Sequence, residues 1–259
     1  MKKAVVRAAY LCLALVLALS LYTIVRSELQ LRRSANDTER AQLLAGLVMP
    51  TGEQPDVELP EWARALMGID LEVLRQVNGD VAGWITIPGT DLSCPIMQGE
   101  DNDYYLTRSW TGEENIAGAI FFETACGTDL AGYNTIVYGH RMRDGSMFGL
   151  LKYYKEPDFL KEHPSVYLAV DGSVCRYEVF AAFEADLEGM VYRLDIEKKH
   201  LEKEFLQYCI DNSVIETGAV PEDGDRVLTL STCTGFGHAR RWVVLAVLRE
   251  EYQRERSLT

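Results

Sequence analysis

Three residues that lie far apart in the chain have the right types for acyl transfer through a thioester: Cys233, His140 and Arg241. A thiol is a weak nucleophile at neutral pH, because an ordinary pKa of about 8.5 leaves only a few per cent as thiolate. It needs a positive neighbour and a proton carrier. His140, with an ordinary pKa of about 6.5, can act as both acid and base. A guanidinium at Arg241 would donate to the oxyanion of a tetrahedral intermediate. A free cysteine more often serves as a small buried hydrophobe. Cys233, however, ends an apolar, β-branched run, V-L-T-L-S-T-C, and His140 ends another, N-T-I-V-Y-G-H.

Both runs read as strands. Alternation in a strand puts Val227, Thr229, Ser231 and Cys233 on one face and Leu228, Leu230 and Thr232 on the other. The leucine face is expected in a core, and the Thr/Ser/Cys face on the floor of a polar groove. Thr229 and Ser231 on that face, together with Thr232 next to the cysteine in sequence, are candidate substrate contacts. Gly235 and Gly237 allow a turn or a close approach to a ligand just after the cysteine. Arg240 competes with Arg241, but neighbours on a strand face opposite ways, so only one of them should reach the site. His163, in E-H-P-S, reads as a turn residue. His200 falls within a helical stretch, and His238 could line the mouth of the groove.

The elements that must position these groups are mostly short strands. Candidates at 83–87, 93–97, 118–122, 134–139, 166–170, 174–183, 226–231 and 241–249 are punctuated by Gly, Pro, Asn and Asp. Asp171-Gly172 marks a hairpin. Leu201, Phe205 and Tyr208 recur at helical spacing within 195–211, just before the cysteine strand. Residues 146–154 carry a short helical face. Residues 61–77 predict one amphipathic helix stopped by Asn78-Gly79. Eight strands with one inserted helix suggest a closed or nearly closed barrel.

Residues 8–25 are 18 consecutive uncharged, mostly apolar residues. As a helix they would span about 27 Å, close to the hydrocarbon thickness of a bilayer. Lys2, Lys3 and Arg7 precede them, which favours a cytoplasmic N-terminus. A cleaved signal peptide is the competing reading, with Ala18-Leu19-Ser20 as a poor cleavage site. The domain plan is then an anchor at 1–26, a stem and proline-containing linker at 27–60, a catalytic domain at 61–250 and a charged tail at 251–259. The net charge of −13, from 26 basic and 39 acidic residues, argues against a nucleic-acid partner. Six cysteines show neither C-x-x-C nor zinc spacing, and Asp101 and Asp103 alone are too few for a calcium site. No metal and no cofactor is expected.

The motifs also carry a family resemblance. T-L-S-T-C at 229–233, R-W-V-V at 241–244, the histidine segment N-T-I-V-Y-G-H followed by R-M-R-D-G-S-M-F, and N-G-D-V-A-G-W-I-T-I-P-G-T at 78–90 resemble the class B sortases. The resemblance covers roughly residues 62–248. It implies a mainly β fold, an eight-stranded sortase-type barrel with N-terminal helices and an inserted helix before the cysteine strand. It also implies a cysteine transpeptidase held on the outer face of a Gram-positive-type membrane by its N-terminal helix. Cys233 would attack after Thr in the C-terminal sorting signal of a secreted protein, His140 would protonate the leaving amine, and Arg241 would hold the oxyanion. The acceptor would be an amine of a cell-wall precursor or a pilin-type lysine. The segment between Cys233 and Arg241 is only seven residues and contains no carboxylate, so a catalytic acid just after the cysteine is not available. The alternatives are another Cys/His peptidase or cell-wall transpeptidase, or a degenerate sortase-like binding module.

Overall fold

The computed structural model describes residues 2–48, 60–196, 198–233 and 240–253. Eight strands close into a barrel: β1 Val81–Thr86, β2 Ser93–Met97, β3 Ile120–Phe122, β4 Asn134–His140, β5 Ser165–Val170, β6 Ser173–Asp186, β7 Val227–Cys233 and β8 Arg240–Gln253. Their order around the barrel is β1-β2-β3-β4-β7-β8-β6-β5, with β5 pairing back to β1. Two neighbour pairs are parallel, β2 with β3 and β4 with β7, and the others are antiparallel. Each parallel pair needs a long crossover, and each crossover brings a covering element over the barrel wall.

The expected alternation holds along β7. Leu228 and Leu230 point into the barrel with Ile85, Phe122, Val137 and Val244, whereas Val227 faces an outer layer. One end of the interior is filled by a 3-10 run, Phe148–Lys155, through Phe148, Leu151 and Tyr154. The hairpin at Asp171-Gly172 forms as a two-residue turn between Val170 and Ser173, with Gly172 at φ +87°.

Helices cover two outer faces. On one side, residues 61–77 form two helices, α2 Glu61–Met67 and α3 Leu71–Arg75, in place of the single one expected. The chain breaks at Gly68, and Asp70 starts a new helix by accepting from Glu72 N at 3.0 Å and Val73 N at 3.2 Å. Leu66, Leu74, Trp84 and Tyr105 pack together there. A helix at Pro157–Glu162, α4, has no counterpart in the sequence reading. Its proline stands in the first turn, where the missing N–H costs nothing. On the other side, α5 Lys199–Asn212 buries Phe205, Leu206 and Cys209 against Val227, Val243 and Leu245.

The N-terminal segment is one helix, α1 Lys2–Leu44, that runs through both the apolar stretch and the stem. Its part from Tyr10 is long and apolar enough to cross a membrane, with a mean hydropathy of 1.8 in its most apolar window. Its last turns dock on the barrel. Ala41 and Ala45 are buried, Gln42 Nε2 donates to Ser93 O at 2.8 Å, and Trp110 Nε1 donates to Asp37 O at 2.8 Å. The expected linker falls on residues 49–59, outside the described residues. β8 runs on to Gln253, opposite Ser173, so the start of the expected charged tail is strand. The remaining tail, 254–259, also lies outside the described residues.

Asn134 ties three elements together. Its Nδ2 donates to the carbonyls of Val191 at 2.8 Å and Arg193 at 3.1 Å, and its Oδ1 accepts from Thr229 Oγ1 at 2.8 Å. Removing this side chain leaves buried polar groups unpaired. Asn134→Ala is therefore expected to cost about 2–3 kcal/mol, read as a lower urea midpoint at unchanged slope. Cys94, Cys175 and Cys209 are free thiols buried in these cores. Burial pushes Cys94 up to about 12 and Cys175 up to about 11, and raises Cys209 as well. At pH 8 these three should resist alkylation until urea exposes them. The same shifts fix a sign. Stability is full below the unfolded thiol value near 8.5 and falls as pH climbs toward the folded values, so the urea midpoint should drop between pH 8.5 and 11.

Candidate active site

The two strand ends singled out in the sequence meet. β4 and β7 pair in parallel with a regular register from Asn134↔Val227 to His140↔Cys233. His140 and Cys233 therefore stand side by side at the same level of the sheet. On the other side of β7 the antiparallel register with β8 runs from Val227↔Val247 to Ser231↔Val243. Carried two residues further, it sets Cys233 opposite Arg241. Backbone pairing of β4, β7 and β8 thus brings the three positions together.

Arg241 and His140 line one cavity of about 370 Å³ on the outer wall of the barrel. Its other walls are Phe121 and Glu123 from the β3 side, Tyr138 from β4, Asn102, Asp103 and Leu106 from the β2–β3 crossover, and Leu187 and Tyr192 from the turn after β6. The groove is the seam between the two helical covers. Arg240 faces away from it, with Nε 3.1 Å from Asp186 Oδ1 and Nη1 3.8 Å from Glu184 Oε2. His163 belongs to a different cavity, of about 690 Å³, between α1 and the barrel. That cavity is larger, but among the described residues no lysine or arginine lines it, and burial pushes its Cys94 thiol up to about 12. His200 is exposed on α5. His238, Gly235 and Gly237 lie outside the described residues.

Thr229, Ser231 and Thr232 are each 0% exposed. Thr229 donates to Asn134, Ser231 Oγ lies 2.9 Å from Tyr192 Oη, and Thr232 Oγ1 lies 3.2 Å from both the N and the O of Trp242. As folded, the three support the groove from behind its wall. Tyr192 comes from a one-turn 3-10 segment, Met190–Tyr192, and stacks on Tyr138 with ring centroids 6.5 Å apart.

Several lining groups escaped the sequence reading. Glu123 is held in the wall by Tyr138 Oη, donating at 2.8 Å, and by Asn102 Nδ2, donating at 2.7 Å. Asn102 in turn accepts from Thr124 N at 2.9 Å and Thr124 Oγ1 at 2.8 Å. Asp101 caps the turn Tyr104–Leu106, accepting from Asp103 N at 2.9 Å and Tyr104 N at 2.8 Å, and these backbone donors hold its carboxyl below the usual carboxylate range. No group of three or more His, Cys, Asp or Glu fit to hold a metal occurs among the described residues. The arrangement offers one imidazole and one guanidinium beside the strand position of a cysteine, in a cleft of mixed polar and aromatic lining. That is suited to acyl transfer on an extended peptide.

Comparison with known proteins agrees with this chemistry. Residues 85–249 match the sortase domain family. Sortase B of Listeria monocytogenes is 36% identical over 166 residues, which is 63% of this chain and 67% of that protein. Sortase B of Staphylococcus aureus is 32% identical over 162 residues, 62% of this chain and 66% of that protein. The solved Staphylococcus aureus sortase B–substrate complex superposes with a TM-score of 0.73 at 27% identity, covering 86% of this chain and 99% of that one. The eight-stranded barrel, the helix inserted before the cysteine strand and these matches together place the chain in the sortase family, as a cysteine transpeptidase of its class B branch.

Proposed function

We propose that Cys233 is the nucleophile, His140 the acid and base, and Arg241 the oxyanion and substrate stabiliser of this transpeptidase. One observation carries the assignment: the parallel register sets His140 beside Cys233, and Arg241 lines the same groove. The substrate is the C-terminal sorting signal of a secreted protein, cleaved after Thr. The Cys233 thiolate adds to the threonine carbonyl carbon. The tetrahedral intermediate collapses as the C–N bond breaks and the leaving amine takes a proton from His140. The thioacyl-enzyme is then resolved by an amine, either of a cell-wall precursor or of a lysine on another protein. Thr229, Ser231 and Thr232 serve the bound peptide indirectly, by fixing Asn134, Tyr192 and the backbone of β8.

Residues 8–25 are the membrane anchor, and the barrel stands outside the cell. The apolar stretch of α1 and the outward-facing substrate class support this placement. The stem belongs with the catalytic unit, because Ala41, Ala45 and Gln42 pack on the barrel. A soluble form should therefore keep residues from about 28 onward and not begin at 61.

The test uses the full chain in detergent with a panel of sorting-signal peptides, with and without a small amine, followed by mass spectrometry. Cleavage after Thr and an acyl adduct on Cys233 are expected, with the amine incorporated into the product. Cys233→Ala and His140→Ala should abolish both. Arg241→Ala should lower kcat by about 10²- to 10³-fold, the usual effect of losing one oxyanion donor. Peptides that bind but are never cleaved would instead mark a binding module.

A further inference from the structure

His140 is held by a backbone carbonyl. Its Nε2 lies 2.6 Å from Leu106 O. A carbonyl oxygen can only accept, so Nε2 carries the proton and donates it. We propose that the Leu106 carbonyl is the positioning group of the active site. It fixes the imidazole in the Nε2–H tautomer, so that proton transfer runs through Nδ1, and Gly118 is the residue that lets the two meet. The proposal rests on His140 being the acid and base.

The carbonyl is not a casual neighbour. Leu106 closes the one-turn 3-10 segment Tyr104–Leu106, which Asp101 caps and Asn102 anchors to the end of β3. Tyr105, the middle residue, is 0% exposed; its Oη donates to Asp80 Oδ2 at 2.6 Å, and its carbonyl accepts from Ala119 N at 2.9 Å. The turn is thus fixed ahead of Leu106, and Asn115 N, donating to Thr107 O at 2.9 Å, holds the chain just after it. Gly118 sits beneath the contact at φ +61°. A Cβ there would lie 2.6 Å from Tyr105 O, 2.9 Å from Leu106 O and 3.0 Å from His140 Cδ2. Any side chain at 118 must therefore push the turn or the ring away.

The proton balance follows. Nδ1 takes the proton from the Cys233 thiol, giving an imidazolium whose Nε2–H still rests on Leu106 O. The thiolate forms the C–S bond. The Nδ1 proton passes to the leaving nitrogen as the C–N bond breaks. In the second half, Nδ1 takes the proton lost by the attacking amine, the new C–N bond forms, and the thiolate departs. A neutral acceptor can keep the ring oriented through both half-reactions, the role an aspartate fills in the Ser-His-Asp arrangement.

The test is histidine ring ¹⁵N NMR on the full-length Cys233→Ala chain in detergent, at a pH where imidazole is neutral. His140→Gln in that background assigns the resonance. His140 should show a protonated Nε2 and an unprotonated Nδ1. His163 is an internal control of the opposite kind, because its Nδ1 lies 2.8 Å from Pro88 O. A protonated Nδ1 on His140, or an averaged mixture of tautomers, overturns the proposal. A second arm measures turnover in Gly118→Ala and Gly118→Asn, with Cys233 intact. Both should lose about 10²-fold in kcat at little change in KM, the scale of a misplaced catalytic group. Asparagine tolerates positive φ but keeps the Cβ, so recovery of kcat with Asn, or full kcat with Ala, also overturns it. If no peptide is turned over even by the unsubstituted chain, the proposed sorting-signal substrate and the role of His140 on it fall, while the NMR result still decides the tautomer.

Discussion

The site depends on one ladder, the parallel pairing of β4 with β7. His140 and Cys233 are 93 positions apart in sequence, and only this register brings them level. A slip of one residue would turn every side chain of β7 to the opposite face, carrying the cysteine position inward and Leu228 and Leu230 out of the core. Closure of the barrel removes that freedom, since a shift in one strand must be matched all the way round. Asn134 adds a specific lock at the far end of the same pair, through Thr229. Architecture and chemistry are therefore not separable here. The strand pairing is what sets His140 level with Cys233.

The groove wall is assembled from the two covers. The β2–β3 crossover supplies Leu106 and Asn102, and the turn after β6 supplies Leu187 and Tyr192. The first crossover exists because the parallel neighbours β2 and β3 cannot be joined by a hairpin, and the second has to pass β8, which lies between β6 and β7. The connections that topology requires thus become the walls of the groove. Ser231 and Thr229, next to the cysteine on the same face, are spent on holding the second wall in place. Two buried hydroxyls can shape a groove without lining it.

Much of this was legible in the chain. β-branched runs between Gly, Pro, Asn and Asp locate all eight strands, because such runs have few other stable conformations. Alternation separates the leucine face of β7 from its Thr/Ser face, and the opposition of neighbours on a strand agrees with Arg241, not Arg240, lining the groove. What was not legible is non-local. Nothing around Glu123 or Tyr192 announces a groove, because each becomes a lining residue only when distant segments pack beside it. The burial of Ser231 and Thr229 depends on Tyr192 in the same way. The break at Gly68 and the cap at Asp70 were local and readable, but apolar spacing runs straight through them and masks the interruption.

The unbroken course of α1 has a geometric consequence. A helix that continues from its apolar stretch into its docking turns transmits rotation as well as position. Each residue added between the two would swing the barrel by about 100° around the helix axis and lift it by about 1.5 Å. The compass bearing of the groove is thus written in the number of residues in the stem, and its height hardly changes with them. An inserted turn of helix restores the bearing, whereas one or two residues aim the same intact active site in another direction.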